Sequence, residues 1–133
     1  MQNILIVEDE PHIIRVMKLS LEENGYSINV AHNGEQALEK LNDGLPDLLI
    51  TDINMPRMSG DLLCKKIEVD YPDRQFPILV LTSKTEIEHR EWTANMNNTY
   101  FLEKPVSIKK LIRMLDSYKN GSGLAAWKTH SNK

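Results

Sequence analysis

The sequence has one cysteine and no long hydrophobic run. Cys64 is alone among 133 residues, which excludes an internal disulfide bond and a cysteine metal site. No apolar stretch approaches the roughly 20 residues of a membrane-spanning helix, and the first residues do not have the pattern of a secretion signal. We therefore expect a protein of the cytoplasm that does not contact a membrane.

An excess of positive charge is also missing. Lys and Arg number 16 while Asp and Glu number 19, so the formal net charge is -3. Because phosphate backbones are bound mainly by clustered Lys and Arg, we expect no direct binding to nucleic acid. The expected partner is another protein.

Five short segments have the composition of β-strands. Residues 4–7, 48–50 and 78–81 are apolar almost throughout, which is typical of strands that are covered on both faces. Residues 28–31 and 100–103 are weaker or alternate with polar residues. These two segments are therefore predicted to be the edges of a sheet.

Five helical patterns follow the strands. Pro11 favours the start of the first helix and Gly25 favours its end, whereas Ser107 is a candidate N-cap for the last. The apolar residues that mark the helices are Ile13, Met17 and Leu21; Ala37, Leu38 and Leu41; Leu63 and Ile67; Ile87 and Ala94; and Ile108, Leu111, Ile112 and Leu115.

The alternation of strands and helices predicts a parallel sheet, because a helical crossover returns the chain in the same direction. Placing the weaker strands at the edges gives the order 2-1-3-4-5. We therefore predict an α/β fold, a three-layer α/β/α sandwich of flavodoxin-like topology with five strands and five helices. Such a sheet has a crevice beyond the carboxyl ends of strands one and three, where the winding reverses.

Charged and polar residues follow the strands at that edge. Glu8 and Asp9 follow strand one, Asp52 ends strand three, Thr82 ends strand four and Lys104 follows strand five. Two like charges about 4 Å apart repel by on the order of 4 kcal/mol at an effective dielectric constant near 20, so the acids need cations. Lys104 is one such cation, and an all-oxygen site favours Mg²⁺ as another.

These residues resemble the receiver domains of two-component response regulators. Glu8 and Asp9 match the acidic pair of that family, "DINMPRMSG" at 52–60 matches its phosphoacceptor stretch, "LTS" supplies Thr82, and "FLEKP" supplies the aromatic residue and the Lys-Pro pair. The resemblance covers residues 2–119. Each element alone is a weak signal, whereas five in register are highly specific.

The resemblance implies a phosphoacceptor rather than a conventional enzyme. Asp52 is expected to take a phosphoryl group from a sensor histidine kinase or a histidine phosphotransfer protein, and to catalyse only its own phosphorylation and dephosphorylation. Asp9, Asp52 and the carbonyl group of Asn54 are expected to hold Mg²⁺, with Glu8 acting directly or through water. Lys104 is expected to pair with a phosphoryl oxygen.

The resemblance also implies a conformational switch. Thr82 and Phe101 are expected to change position and remodel the face formed by the fourth helix, the fifth strand and the fifth helix, which would bind a downstream protein or a second copy of the chain. Residues expected to contribute to this face are Trp92, Met114 and Tyr118. Residues expected to flank the site are Ser83, Lys84 and Pro105, with a cis peptide bond between Lys104 and Pro105.

Two features set the remaining expectations. Asn97 and Asn98 replace the Gly-Ala pair that is common before the fifth strand, and Asn tolerates left-handed backbone. Residues 1–119 are expected to form the receiver domain, and residues 120–133, which begin with Gly-Ser-Gly, a flexible tail or a linker remnant.

The sequence leaves alternatives to a stand-alone interaction module. The chain could be the regulatory domain of a longer DNA-binding or enzymatic regulator. An aspartate-nucleophile phosphatase is more remote, since its second Asp is replaced by Asn54. A flavin- or nucleotide-binding protein is disfavoured because "EDEP" after strand one would repel phosphate.

Overall fold

The computed structural model describes residues 3–55, 57–83 and 98–119. These residues form the following elements in chain order: β1 (Asn3–Val7), α1 (Pro11–Glu23), β2 (Ser27–Ala31), α2 (Gly34–Asp43), β3 (Leu48–Asp52), α3 (Gly60–Asp70), β4 (Ile78–Thr82), β5 (Thr99–Glu103) and α4 (Ile108–Lys119). The fourth predicted helix, around Ile87 and Ala94, lies outside the described residues. Helix α4 is therefore the fifth helix of the prediction.

The five strands form one parallel sheet in the order β2-β1-β3-β4-β5, which confirms the predicted topology. Val7 is paired with Thr51, Asp52 with Leu81, and Thr82 with Glu103. The carboxyl ends of four neighbouring strands therefore lie side by side at one edge. This alignment brings together the polar residues that follow those strands.

The two faces of the sheet are each covered by helices, which explains why the central strands are apolar throughout. On one face Ile4, Ile6 and Ile50 contribute to a core that includes residues of α1 and α4. On the other face Leu5 and Leu49 contribute to a core that includes residues of α2 and α3. The three-layer arrangement is confirmed.

Several helix and turn signals have the predicted geometry. Pro11 is the first residue of α1, and Gly25, just after that helix, has a φ of 91°. The Ser107 hydroxyl oxygen accepts a hydrogen bond from the amide of Lys110 at 3.2 Å, as an N-cap does. Asn98 has a left-handed φ of 53° before β5, in agreement with the tolerance expected of asparagine.

Met114 corrects one expectation. Its side chain was predicted to contribute to a docking surface, but it is 0% exposed and belongs to the core between α4 and the sheet. The apolar stripe of α4 is wider than predicted, because Met114 lies three residues after buried Leu111 on the same face. Tyr118 is half-buried against this core, and its hydroxyl donates a hydrogen bond to the carbonyl oxygen of Asp47 at 3.4 Å.

Among the described residues, no helix combines the length and the hydropathy needed to cross a membrane.

Candidate functional site

The candidate site lies at the carboxyl edge of the sheet, between the ends of β1 and β3. Strand β1 continues into Glu8 and Asp9, whereas β3 ends at Asp52. Strand β1 is paired with β2 on one side and with β3 on the other. The helices that follow β1 and β3, α1 and α3, pack on opposite faces of the sheet. The predicted crevice is therefore at the topological switch point, the usual ligand position in such sheets.

Asp52 and Lys104 form the charged centre of the site. The Lys104 Nζ atom lies 2.6 Å from Oδ1 of Asp52, whose side chain is 7% exposed. Oδ1 also accepts a hydrogen bond from the amide of Ile53 at 2.7 Å. Lys104 is held in place because its own amide donates to the carbonyl oxygen of Thr82 at 2.6 Å, continuing the pairing of β4 and β5.

Glu8 is a second buried carboxylate at this edge, with 2% exposure. Its Oε2 atom accepts hydrogen bonds from the amides of Asp9 and Glu10, both at 3.2 Å. Burial is the main factor that raises the pKa of Glu8, and the charges of Asp52 and Asp9 raise it further, against the amide of Glu10 and the ammonium group of Lys104. The carboxylates are thus close enough to repel one another.

The donor set of the site suits Mg²⁺. In residues 3–55, 57–83 and 98–119, no three His, Cys, Asp or Glu side chains converge as a ready-made metal cluster. Glu8 instead accepts hydrogen bonds from backbone amides of its own segment. The carboxylates of Asp9 and Asp52 with the carbonyl oxygen of Asn54 remain as candidate ligands, and Mg²⁺ commonly binds through one or two carboxylates plus water and phosphate oxygens.

The residues predicted to act as a switch are both buried. Thr82 is 3% exposed, and its hydroxyl donates a long hydrogen bond of 3.3 Å to the carbonyl oxygen of Ser83. Phe101 is also 3% exposed and lies in the core on the α2 and α3 side. The Phe101 ring therefore already occupies an inward position.

The flanking residues are placed only in part. Ser83 is half-buried beside Thr82, and Pro105 is exposed after Lys104. The Lys104–Pro105 peptide bond is cis, as the resemblance implied. Lys84 and Trp92 lie outside the described residues.

Gly60 is a site residue whose role the sequence did not reveal. A Cβ atom at Gly60 would lie 2.0 Å from the carbonyl oxygen of Asp52 and 2.8 Å from Cα of Ile53. Its amide donates to the carbonyl oxygen of Ile53 at 2.8 Å. Only glycine can therefore start α3 so close to the backbone of Asp52; its place at the end of the quoted motif was the one available signal.

A groove of about 520 Å³ opens beside the site and was not predicted. Its walls are largely apolar and include Ile13 and Val16 of α1 and Val106 of the segment before α4. Glu8 and Lys104 are among its lining residues, so the groove reaches the charged centre. A partner that occupies the groove would lie next to Asp52.

Comparisons with known proteins agree on one family. The family model described as response regulator receiver domain matches residues 4–116. A relative named response regulator MprA, from Mycobacterium avium (strain 104), is 33% identical over 109 residues, which are 82% of this chain and 47% of the relative. The chain thus spans about half the length of the curated relatives it matches.

Solved structures give the same result. The chemotaxis response regulator CheY4 of Vibrio cholerae is 30% identical with a TM-score of 0.78, over 87% of this chain and 97% of that one. The response regulator protein TrrA from Thermotoga maritima, solved in complex with Mg(2+)-BeF, is 32% identical with a TM-score of 0.75, over 88% of this chain and 98% of that one.

Proposed function

The chain belongs to the response regulator receiver family, and from this premise we propose that Asp52 accepts a phosphoryl group from a phosphohistidine. The donor is a sensor histidine kinase or a histidine phosphotransfer protein. The observation that carries the proposal is the buried Asp52 carboxylate with the Lys104 ammonium group 2.6 Å away, at the switch point of the sheet. Receiver domains are signalling modules, and we propose no turnover of other substrates.

The two oxygens of Asp52 have different roles in this proposal. Oδ1 is engaged by Lys104 and by the amide of Ile53, so Oδ2 is the proposed nucleophile. Oδ2 forms a bond to phosphorus while the bond between phosphorus and the donor imidazole nitrogen breaks, and the imidazole leaves with that electron pair. Lys104 is positioned to pair with a phosphoryl oxygen once the new bond has formed.

Mg²⁺ would be held by Asp9, Asp52 and the carbonyl oxygen of Asn54. When bound, it neutralises negative charge on the transferring phosphoryl oxygens. Glu8 adds negative charge beside those ligands, while its Oε2 accepts hydrogen bonds from two amides of its own segment. We therefore assign Glu8 a contribution through water or through its charge.

Thr82 is the proposed sensor of phosphorylation. Within the part of the chain that the structure describes, its hydroxyl makes a long bond of 3.3 Å to the neighbouring carbonyl oxygen of Ser83, a partner that it could exchange for a phosphoryl oxygen. The response is proposed to reach the face formed by the predicted fourth helix, β5 and α4, where a downstream protein or a second copy of the chain binds. Phe101 is already buried in this structure. A rearrangement of its ring on phosphorylation stays a prediction.

The groove beside α1 is the proposed docking surface for the phosphoryl donor. It joins an apolar wall to the charged centre of the site, so a protein that covered Val16 could bring its phosphohistidine to Asp52. Val16 is 40% exposed, which makes it available to a partner. Docking there would also exclude water around the reacting groups.

A second candidate concerns the context of the domain. The match to MprA covers about half of that relative, which favours a regulatory domain of a longer regulator with a DNA-binding or enzymatic domain. The match to CheY4 covers nearly all of that protein, which favours a stand-alone cytoplasmic module. The length of the native reading frame decides between them.

The central proposal is tested with a small phosphodonor. We expect acetyl phosphate and Mg²⁺ to add the mass of one phosphoryl group to the wild-type protein, measured by intact mass spectrometry, and to add none to Asp52→Asn. Asp43→Asn, which alters an exposed carboxylate at the end of α2, is the matched control and should be labelled normally. Equal labelling of Asp52→Asn and wild type, or labelling that survives removal of Mg²⁺ by a chelator, would overturn the proposal.

A further inference from the structure

The loop that connects β3 to α3 carries Asn54 and is closed at its base. The amide of Gly60, the first residue of α3, donates to the carbonyl oxygen of Ile53 at 2.8 Å. This bond joins the two ends of the loop directly after Asp52.

The far side of the loop rests on the first turn of α2. A Cβ atom at Gly34 would lie 2.7 Å from Cγ of Met58, 2.8 Å from its Cβ and 2.8 Å from its Sδ. The Met58 side chain thus lies directly over the Cα atom of Gly34, in a notch that exists because Gly34 has no side chain. Met58 is also partly buried against the core on that face of the sheet.

The backbone before Met58 adopts a conformation that directs it into this notch. Arg57 has a φ of 66°, which is uncommon for a residue other than glycine. Its guanidinium group lies 3.7 Å from the carboxylate of Glu35, the residue after Gly34. Both of these side chains are exposed, so the ion pair is weak, and the Met58 contact is the more substantial of the two.

The first turn of α2 is a firm support. The Asn33 side chain accepts a hydrogen bond from the amide of Gln36 at 2.9 Å, and the Gln36 side chain accepts one from the amide of His32 at 2.8 Å. Reciprocal bonds of this kind fix the start of a helix. The first turn of α2, which includes Gly34, is therefore fixed by hydrogen bonds at its start.

We propose that Gly34 and Met58 are positioning residues of the site, which hold the β3–α3 loop so that Asn54 can serve the Mg²⁺ position. The inference rests on the proposed function, since it assigns the loop its role in ion binding. Neither residue touches the reacting groups. Both act through the backbone of the loop.

The test compares glycine substitutions at the two ends of α2 in the full chain. Gly34→Ala places a methyl group where Met58 lies, and because Cβ of Met58, next to the backbone, is one of the close atoms, we expect the shift to reach the backbone of the loop. We expect Mg²⁺ affinity, measured by titration calorimetry with the metal alone, to fall about tenfold, the lower end of losses seen when supporting residues of a metal site are disturbed. Gly44→Ala, with nothing within 4 Å of its new Cβ atom, should bind Mg²⁺ as the wild type does.

A second pair of variants keeps the test informative if Gly34→Ala folds poorly. Met58→Ala removes the contact without creating a clash and should also weaken Mg²⁺ binding. Met58→Leu conserves the side-chain volume and should bind Mg²⁺ about as tightly as the wild type. In the Met58→Ala background, adding Gly34→Ala should have a smaller effect than in the wild type, because two of the three close atoms are gone. Urea unfolding without metal shows whether each variant folds.

The outcomes separate the two proposals. If the wild type binds Mg²⁺ and is phosphorylated at Asp52 while Gly34→Ala and Met58→Ala bind Mg²⁺ as tightly as Gly44→Ala, the positioning role is wrong and the proposed function stands. If the wild type neither binds Mg²⁺ nor is phosphorylated, the proposed function fails and the positioning role fails with it.

Discussion

Glu8 is a carboxylate that has been removed from water and placed near other carboxylates. Its pKa is raised from the ordinary value of 4.5, first by burial. For an acid whose folded-state pKa is raised, the folded state binds more protons than the unfolded state, so stability falls as pH rises from 4.5 through the folded-state pKa. Ionised Glu8 therefore destabilises the metal-free protein at neutral pH.

Glu8→Gln should consequently stabilise the metal-free protein. The glutamine side chain can still accept the hydrogen bonds from the amides of Asp9 and Glu10 but carries no charge. We expect a higher urea midpoint than the wild type at neutral pH, and a gain that shrinks as pH falls through the raised folded-state pKa and disappears below 4.5, where the wild-type carboxyl group is protonated in both states. Glu39→Gln, at an exposed position of α2, is the control for the general effect of removing one carboxylate charge. A gain at Glu8 that is independent of pH, or equal to that of the control, would contradict this explanation of Glu8.

At the scale of elements, the join between β3 and α3 depends on Gly60. Its missing side chain lets α3 start against the last residues of β3, where a Cβ atom would lie 2.0 Å from the carbonyl oxygen of Asp52. The obstacle is backbone, which cannot move aside as a flexible side chain can. The geometry of this junction therefore determines where the carboxylate of Asp52 lies.

Gly60→Ala should both destabilise the fold and impair the site. We expect the free energy of unfolding to fall by about 3 kcal/mol, the upper part of the usual range for overpacking, and phosphorylation by acetyl phosphate to slow in whatever fraction remains folded. Chemical denaturation and intact mass measure the two effects. Gly44→Ala is the control, and a Gly60→Ala protein as stable as that control would show that the junction can adapt.

Helix α1 and the segment before α4 form the walls of the groove beside the site. If a donor protein docks there, Val16→Asp should lower phosphotransfer from a phosphorylated histidine phosphotransfer protein by about tenfold, equivalent to the loss of about 1.4 kcal/mol of binding free energy. Phosphorylation by acetyl phosphate should be unchanged, because that donor needs no protein surface.

The matched control for Val16 is Val69→Asp. Val69 is 78% exposed on α3, which packs on the other face of the sheet. Both substitutions place a charge on an exposed helix surface, so a general effect of charge would appear in both. Equal phosphotransfer to the two variants would exclude the groove as the docking surface.

At the scale of the whole molecule, one sheet with two covered faces accounts for the core of the described residues. Its edge strands are tied to neighbouring helices by polar contacts as well. Arg74, which is buried, donates to Glu68 of α3 at 2.8 Å and to the hydroxyl group of Thr99 in β5 at 2.9 Å. The Tyr26 hydroxyl, next to β2, donates to Asp116 of α4 at 2.7 Å. These contacts link β5 to α3 and the start of β2 to α4.

A chain that ends at Lys119 should therefore keep the properties of the domain. We expect its urea midpoint, its Mg²⁺ affinity and its labelling at Asp52 to match those of residues 1–133, because the two cores and the proposed site lie within residues 3–118. The three measurements are made side by side on the two lengths. A loss of stability on removing residues 120–133 would show that the predicted boundary is misplaced.

The fold was predictable because its signals are local. Continuous apolar runs at 4–7, 48–50 and 78–81 indicated buried strands, and each lies within a central strand of the sheet. Pro11, Gly25 and Ser107 marked helix ends through backbone preferences that act within a few residues. Met114 was misplaced because the sequence does not show how much of a helix surface its neighbours will cover.

The amino-acid sequence by itself determined the strand order, the edge at which the site lies and the residue types found there, because periodicity and chain direction follow from the order of residues. The tertiary structure alone decided that Lys104 contacts Asp52, that Glu8 accepts its neighbours' amides and that Met58 lies over Gly34. The contacts of Lys104 with Asp52 and of Met58 with Gly34 depend on how distant segments share space once the sheet and its helices have packed. The hydrogen bonds of Glu8 depend on which way a buried side chain turns within its own segment. Residue order alone does not specify where side-chain atoms lie at this level of detail.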